Sequence, residues 1–201
     1  MMIQELNNSR AGAFRRWLAG VISPELRVEA ERDPLTDLYN LRADARLVNQ
    51  ALALRRQEGE SGNVLVRFRA DMDNFKAFND THGHMAGDRV LALVGRILRN
   101  SIREGEDIVS PARVGGDEFA MTLLIPASAS PERIRDRLEE NVSDALRREG
   151  LHRAGPLEVG ISIGFAVADP DTLPHRLDAE ADTSARRRKL MKAGSLRAQS
   201  S

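Results

Sequence analysis

The sequence contains no cysteine, so it builds no disulfide framework and performs no thiol chemistry. It also lacks any apolar run near the roughly 18 residues that a membrane span needs. Its start does not show the charged segment followed by an apolar stretch that marks a signal peptide. A chain with these features is compatible with a reducing compartment, and we expect a cytoplasmic protein that has no membrane partner.

Acidic residues are missing from the end of the chain, although the whole sequence carries 30 bases and 30 acids and has a formal net charge of zero. A basic run of this kind contacts phosphates or RNA in some proteins, but it is more often the solvated face of a helix. We favour the solvated face and predict no nucleic-acid partner. No acid follows Asp182, whereas six bases do: Arg186, Arg187, Arg188, Lys189, Lys192 and Arg197.

The residues that are present include enough apolar side chains for one core, 41% of a chain of 201 residues. This length suits one domain with an appendage. The appendage is predicted as a helical extension over residues 1–32, because residues 11–22 carry an apolar stripe at helical spacing and Ser23-Pro24 is typical of a helix start. The stripe either packs onto its own domain or pairs two chains, and both interpretations stay open.

Residues 33–195 are predicted to form one α/β domain, because helical and strand periodicities follow one another along them. The small residues of its clearest strand predict close packing by a helix on one side. Residues 196–201 are assigned to a disordered tail. The predicted elements are a helix over 42–56, a strand from 64 to 73, helices over 74–81 and 86–103, a hairpin of strands 107–114 and 119–125, a helix over 131–149, the clearest strand over 157–167, and a helix over 177–192.

One predicted strand carries two arginines that a buried strand would not need. Arg67 and Arg69 lie on the same face of the strand that ends near Asp71. A strand that is covered on both faces is usually apolar throughout. These arginines therefore indicate that the face is either open or lined with acids.

Two acidic clusters stand at the ends of predicted strands. Asp117 and Glu118 follow a pair of glycines at the hairpin tip, where the glycines are expected to supply the positive φ of a tight turn. Asp71 and Asp73 end the earlier strand, and Lys76 follows at the start of a helix. A turn does not need paired acids, so we predict a cation here. Mg²⁺ with phosphate is the best candidate, because Mg²⁺ is usually shared between carboxylates and substrate phosphates.

Five segments in one order give the sequence a family resemblance: Asp33–Asn40, Asp71–His84, Gly87-Asp88, Gly115–Phe119 and Ser162–Gly164. With these segments, the chain resembles the GGDEF family of diguanylate cyclases over roughly residues 33–195. The resemblance implies a single α/β domain with a central, mostly antiparallel five-stranded sheet flanked by helices. Relatives often carry a sensor module joined through an N-terminal helix. This chain has no room for one, so we expect any such input domain to be absent or to have been cut away.

The resemblance implies one reaction, in which two GTP molecules condense to cyclic di-GMP and release two pyrophosphates. Each chain binds one GTP, two chains meet face to face as a homodimer, and the 3′-hydroxyl of each nucleotide attacks the α-phosphate of the other. By position, Asp71 and Asp117 are the implied Mg²⁺ (or Mn²⁺) ligands, with the Met72 carbonyl as a backbone ligand. Glu118 is implied to assist metal binding or to activate the hydroxyl, which makes Asp117 and Glu118 the catalytic pair.

The resemblance also implies nucleotide contacts from two helices. Lys76 would hold the β- or γ-phosphate, and the amides around Asn74 and Phe75 would add donors. Asn79 and Asp88 would read the base. A carboxylate accepts from both N1–H and the 2-amino group of guanine, which adenine does not offer, so Asp88 favours GTP over ATP.

The chain departs from the family pattern in two places. Many relatives carry an inhibitory product site, Arg-x-x-Asp, five residues before the glycine pair. Here Glu106 and Val109 occupy those places, or Glu104 and Asp107 if Ser110-Pro111 is a small insertion, and the arginine is missing in either case. We therefore expect no product inhibition through that site. In the last helix Lys189 fits the family's phosphate-binding lysine, but no residue fits the arginine that accompanies it, and Lys192 is the nearest substitute.

Two acids of the matched segments have a structural alternative. Asp73 either shares the metal or caps the helix at Asn74, and we favour the cap. Asp88 would serve equally well as the N-cap of a helix that begins near Arg89 if the family resemblance were set aside.

The histidines and phenylalanines near these acids are interpreted as structural. His82 and His84 have metal-ligand spacing, but no third ligand stands near them in the sequence. Phe75 and Phe78 are predicted to lie in the core rather than to stack on a base.

Three functions fit the sequence, and we favour the active homodimeric diguanylate cyclase. The second is a catalytically silent domain that binds GTP or cyclic di-GMP and signals through contacts; the altered last helix favours it and the intact acids oppose it. The third is a related nucleotidyl cyclase with another base preference, which Asp88 opposes. The sequence predicts no particular sensor or receptor partner.

Overall fold

A computed structural model describes residues 31–58, 62–101, 107–169 and 171–199, of which 58, 107–110 and 195–199 are described by their backbone alone. The predicted N-terminal helical extension, residues 1–32, therefore lies outside the described residues except for its last two. None of the helices in the described ranges has both the length and the apolar composition needed to cross a membrane.

A five-stranded mixed sheet forms the centre of the fold, and its strand order is β1-β3-β4-β2-β7. Strands β1 and β3 are parallel, and the other neighbours are antiparallel. This confirms the mostly antiparallel five-stranded sheet implied by the family resemblance. The strands are β1 Tyr39–Asn40, β2 Asn63–Asp73, β3 Asp107–Arg113, β4 Glu118–Pro126 and β7 Gly160–Ala168. Two short strands, β5 Arg153–Ala154 and β6 Leu157–Glu158, form a separate pair.

Five described helices cover the two faces of the sheet. One face packs its alternate apolar residues against α2, α3 and α4, and the other packs against α1 and α5. The helices are α1 Leu41–Glu58, α2 Phe75–His82, α3 His84–Asn100, α4 Pro131–Arg148 and α5 Pro174–Gln199. The start of α4 is capped as its sequence predicts, because the Ser130 side chain accepts a hydrogen bond from the Arg133 N–H at 3.3 Å.

The face that packs against α1 and α5 contains the two unexpected arginines. Arg67 is 1% exposed, and it donates to both carboxylate oxygens of Asp44 at 2.8 and 2.5 Å and to Asp178 at 2.8 Å. Of the two alternatives drawn from the sequence, an acid-lined face is therefore the correct one. Burying the guanidinium is tolerated because each of its charged partners also hydrogen-bonds to it.

The closest approach between α5 and the sheet occurs at Gly164 of β7. A Cβ atom added there would lie 1.9 Å from the backbone nitrogen of Ala185, so only glycine permits this contact. This confirms the close helix packing predicted from the small residues of the strand.

Two predicted boundaries are wrong. The single strand over 157–167 is two strands, because the chain changes partners at Val159: β6 pairs with β5, whereas β7 pairs with β2. Apolar and small or polar side chains alternate through both strands, so this pattern does not indicate where the chain changes its pairing partner. At the other end, α5 continues to Gln199, so residues 196–199 are helical and not part of a disordered tail.

Candidate active site

The two acidic clusters meet at one end of the sheet, because β2 and β4 are antiparallel neighbours. Asp71 at the end of β2 is the register partner of Glu118 at the start of β4. The Met72 N–H donates to the carbonyl of Asp117 at 3.2 Å. Acids that are 46 or 47 positions apart in the sequence thus share one edge of the fold, which is the arrangement that a common ligand requires.

The glycine pair before these acids does not have the backbone conformation that we expected. Neither Gly115 nor Gly116 has a positive φ, so the prediction of a left-handed turn is wrong. A Cβ atom on Gly115 would lie 2.9 Å from Glu118 Oε2, which means that the Glu118 side chain folds back over the bare backbone. The space around Gly116 is open, and the structure gives no steric reason for glycine there.

Arg113 fixes the turn to the start of the domain. Its Nε and Nη2 donate to the Gly116 carbonyl at 3.2 and 2.7 Å, and its Nη1 donates to both Asp33 oxygens at 3.3 and 3.2 Å. Asp33 also accepts from the N–H and hydroxyl of Thr36 at 2.9 and 2.7 Å. Burial by itself would raise the pKa of Asp33, but the Thr36 hydrogen bonds and the Arg113 charge lower it below its ordinary value. Neither Arg113 nor Asp33 was predicted from the sequence to take part in the site.

Lys189 of α5 occupies an unexpected place in the site. Its ammonium contacts Asp71 Oδ1 and donates to the Met72 carbonyl at 2.9 Å. Both oxygens are predicted metal ligands, whereas Lys189 itself was predicted to bind phosphate. The contact shows that these oxygens converge on one cation.

The donor set suits a hard cation such as Mg²⁺. Asp71, Asp117 and the Met72 carbonyl all offer oxygen, the ligand type that Mg²⁺ prefers. Within the described ranges no three Asp, Glu, His or Cys side chains are placed to hold a metal by themselves. A metal held here would complete its coordination with water or substrate oxygens, as is common for Mg²⁺ bound with nucleotides.

Asp73 does not cap α2, so the favoured interpretation of this residue is wrong. Its Oδ1 accepts from the Ser162 hydroxyl at 2.7 Å, and its Oδ2 lies 3.7 Å from the Lys192 ammonium. Asn74 is the N-cap residue of α2 and makes no side-chain capping bond. Burial raises the pKa of Asp73, although the Ser162 hydroxyl and the Lys192 charge act in the opposite direction.

Lys192 is held by the protein rather than presented to a phosphate. Its ammonium donates to the Ile161 carbonyl at 2.6 Å and lies 3.0 Å from Glu139 Oε2. Glu139 is 8% exposed and also accepts from the Ile163 N–H at 2.8 Å. These contacts oppose the expectation that Lys192 replaces the family's phosphate-binding arginine.

The predicted phosphate-binding residues lie at the start of α2. Asn74 has a left-handed backbone with φ 57°, and its side chain donates to the Glu158 carbonyl at 2.7 Å. Lys76 is exposed in the first turn of the helix, while Phe75 lies in the core together with Phe78, as predicted. No described residue pairs with the Lys76 ammonium, which is therefore a cation available beside a helix N-terminus.

The predicted base-reading residues lie where α2 and α3 touch. Asn79 Oδ1 is buried and receives no hydrogen bond from the described residues. A Cβ atom on Gly87 would lie 1.9 Å from that oxygen, so this glycine makes room for the amide. The next residue, Asp88, is exposed inside α3 and not at its N-cap, because the helix begins at His84.

His82 has structural contacts of the kind predicted for it. Its ring lies 4.6 Å from the Phe78 ring, and its Nε2 is 2.9 Å from the Arg153 carbonyl. Phe78 itself is 1% exposed. His82 therefore connects α2 to β5.

Comparison with known proteins identifies the class to which this fold and site belong. The family model described as diguanylate cyclase, GGDEF domain, matches residues 30–194, and the chain belongs to the GGDEF family. The crystal structure of the coiled coil and GGDEF domain of DgcB from Caulobacter crescentus in complex with c-di-GMP matches with a TM-score of 0.64 and 26% identity, over 91% of each chain.

Curated relatives are similar over most of this chain but are much longer. The diguanylate cyclase DgcP of Pseudomonas aeruginosa is 35% identical over 164 residues, which cover 81% of this chain and 23% of DgcP. The probable diguanylate cyclase DgcT of Escherichia coli is 33% identical over 156 residues, which cover 77% of this chain and 32% of DgcT. The chain thus spans about a quarter to a third of the length of these relatives.

Proposed function

We propose that this chain is an active diguanylate cyclase that condenses two GTP molecules into cyclic di-GMP and releases two pyrophosphates. The observation that carries the proposal is the meeting of Asp71, the Met72 carbonyl and the Asp117-Glu118 turn, where the Lys189 ammonium already contacts two predicted metal-binding oxygens. The similarity to the diguanylate cyclase DgcP and to the probable diguanylate cyclase DgcT supports the same reaction.

In each half of the reaction, the 3′-oxygen of one GTP bonds to the α-phosphorus of the other, and the bond from that phosphorus to pyrophosphate breaks. Mg²⁺ or Mn²⁺, held by Asp71, the Met72 carbonyl and Asp117, would neutralise charge on the phosphate oxygens. Glu118 is the base that we assign to the 3′-hydroxyl proton, because it is exposed beside these ligands at the start of β4.

The nucleotide would lie between the acidic turn and the start of α2. Lys76 would bind a terminal phosphate together with the amides of Asn74 and Phe75. Asn79 and Asp88 would read guanine. No described residue donates to the buried Asn79 Oδ1, and this supports the role, since a buried acceptor without a donor costs free energy that a ligand contact can recover.

Turnover would require a homodimer. Each chain offers one such nucleotide site, and the reaction joins two nucleotides symmetrically. Glu118 is exposed, so its carboxylate is accessible to a nucleotide held by a partner chain.

We place this activity in the cytoplasm, as we expected from the sequence.

Product formation tests the proposal. Purified protein is incubated with GTP and Mg²⁺, and cyclic di-GMP and pyrophosphate are measured by chromatography and a coupled assay. Asp117→Asn should lower the rate at least about a hundredfold, the scale expected for loss of a charge-stabilising group. Asp80→Asn, which changes an exposed acid of α2 outside the site, should have no effect. No product from the wild type, or equal rates from wild type and Asp117→Asn, would contradict the proposal.

One contact favours the second candidate function, a silent domain that binds GTP or cyclic di-GMP. Lys189 engages Asp71 and the Met72 carbonyl, and a chain in which this contact never opens would bind nucleotide without turnover. Calorimetric binding of GTP together with no product in the same buffer would establish this alternative.

A further inference from the structure

Arg69 is a charged residue of β2 that the proposed reaction does not use. Its side chain is 14% exposed and lies on the α5 side of the sheet, two residues before Asp71. Its Nε donates to Asp182 of α5 at 2.8 Å, and its Nη2 lies 3.5 Å from Glu118 Oε2. One guanidinium therefore touches both the last helix and the proposed catalytic base.

The contacts between β2 and α5 form a series of ion pairs whose polarity reverses at the site. Nearest the centre of the sheet, the strand supplies the bases and the helix supplies the acids. At the site the strand supplies the acids and the helix the bases. The pairs in order are Arg67–Asp178, Arg69–Asp182, Asp71–Lys189 and Asp73–Lys192.

Arg69 differs from its neighbour Arg67 in what else it contacts. The remaining partners of Arg67 are Asp44 and Thr122, which lie away from the acidic turn. Arg69 instead reaches diagonally across the sheet to Glu118. The planar fork of an arginine can hold two carboxylates at once, which a lysine ammonium does with less geometric control.

We propose that Arg69 is a positioning residue that orients Glu118 for proton transfer, and that Asp182 holds Arg69 in place. This inference rests on the proposed function. The Glu118 side chain is 48% exposed, so without a partner it would sample several rotamers. Arg69 and the bare backbone of Gly115 limit that freedom from two sides. The contact is long for a hydrogen bond, so its effect is on orientation rather than on strong binding.

The expected kinetic effect is on kcat rather than on KM for GTP. Arg69 contacts Glu118 and Asp182 and not the residues assigned to phosphate or guanine. Arg69→Met should lower kcat by about 10- to 100-fold, the range produced by misplacing a reacting group. KM for GTP should stay within about twofold, because ground-state binding is kept. Arg69→Lys keeps the charge without the fork and should give an intermediate kcat.

Two further variants distinguish an effect on the orientation of Glu118 from a general loss of protein stability. Asp182→Asn removes the acid that holds Arg69 and should lower kcat in the same way. Asp178→Asn is the matched control, because Asp178 is similarly exposed on the same helix and pairs with Arg67 instead. Equal losses of kcat in Asp182→Asn and Asp178→Asn, or an unchanged kcat in Arg69→Met, would overturn the proposal.

Amide hydrogen exchange of the metal-free protein supplies a measurement that does not depend on activity. Peptides covering residues 113–120 should exchange faster in Arg69→Met and Asp182→Asn than in Asp178→Asn, because the turn loses one of its restraints. If the wild type makes no cyclic di-GMP, the proposed function fails, and this exchange comparison still decides whether Arg69 restrains Glu118. Equal exchange in all variants would overturn the inference by itself.

Discussion

At the scale of single residues, acids of the site face bases of the same chain. Asp71 contacts Lys189, and Glu118 contacts Arg69. Such pairs reduce repulsion among carboxylates that lie close together. Because Lys189 lies on oxygens that a metal would need, metal binding and the Lys189 contact exclude one another.

Replacing Lys189 should therefore tighten metal binding to the nucleotide-free protein. Lys189→Met is expected to raise the affinity for Mn²⁺ by up to about fivefold, since a partly exposed ion pair contributes at most about 1 kcal/mol. Free Mn²⁺ can be measured by electron paramagnetic resonance during a titration. Lys192→Met, which alters the neighbouring pair with Asp73, is the control and should change this affinity less. Unchanged or weaker Mn²⁺ binding in Lys189→Met would contradict the competition.

The ion pair between Asp33 and Arg113 makes a prediction about pH. The pKa of Asp33 is lowered in the folded state, so its ionised form stabilises the fold fully above the unfolded pKa of about 3.9. The stabilisation is lost as the pH falls through the lower, folded pKa. Wild type should exceed Asp33→Asn in free energy of unfolding by about 1–3 kcal/mol at pH 7, as for hydrogen bonds to charged groups.

Urea unfolding of both proteins between pH 7 and pH 3 checks this dependence. The difference between wild type and Asp33→Asn should narrow at the acid end of the series. A difference that stays constant or grows as the pH falls would show that the Asp33 charge is not what stabilises the turn.

At the scale of elements, the docking of α5 decides whether its charged residues reach the site. The helix crosses β7 at Gly164 with no room for a side chain, and this places Asp182 and Lys189 over β2. Gly164→Ala should destabilise the protein by about 1–3 kcal/mol, the usual cost of overpacking. Gly194→Ala is the matched control, because Gly194 of α5 has open space around it and alanine favours a helix there.

Denaturant unfolding compares these two glycines directly. A loss of stability in Gly164→Ala with a small gain in Gly194→Ala is the expected result. Equal midpoints for wild type and Gly164→Ala would mean that the helix can shift away from the strand without cost.

Helices and strands were predictable where a periodic pattern and its local end signals agreed. The helix that follows Ser130-Pro131 and the apolar residues of α3 are examples, because both capping and periodicity are local properties. The division at Val159 was not predictable, since alternation is the same whichever strand is the partner.

The position of the two acidic clusters at strand ends was predictable, but the contacts that their side chains make were not. Asp71 and Asp117 stand at strand ends beside turn residues, which is a local signal. The Lys189 and Arg69 contacts join residues 118 and 49 positions apart, and no local pattern carries that information. The prediction for the glycine pair was wrong for a similar reason. The Glu118 side chain lies against the bare backbone of Gly115, and the φ of Gly115 is not positive.

At the scale of the whole molecule, the sheet separates two kinds of interior. The face covered by α2, α3 and α4 is apolar, whereas the face covered by α1 and α5 contains buried ion pairs around Arg67. On this second face, Arg69 joins Asp182 of α5 to Glu118, and Lys189 of α5 contacts Asp71, so charged contacts connect α5 to the acidic turn.

A symmetric reaction between two chains makes the rate depend on concentration. Cyclic di-GMP formation per subunit should rise as the protein concentration is raised through the dimer dissociation constant, because each product molecule needs two sites. Analytical ultracentrifugation at the same concentrations supplies the dimer fraction. A rate per subunit that does not follow the dimer fraction would count against chemistry between chains.

In the proposed active site, Asp71 and Asp117 bind one metal ion beneath one nucleotide. A double-mutant cycle measures this directly, with rates of cyclic di-GMP formation for wild type, Asp71→Asn, Asp117→Asn and the double variant. If the two acids share a site, the double variant should lose about as much rate as the worse single variant, because one substitution already disables the site. Losses that multiply in the double variant, or single variants as active as the wild type, would contradict the account.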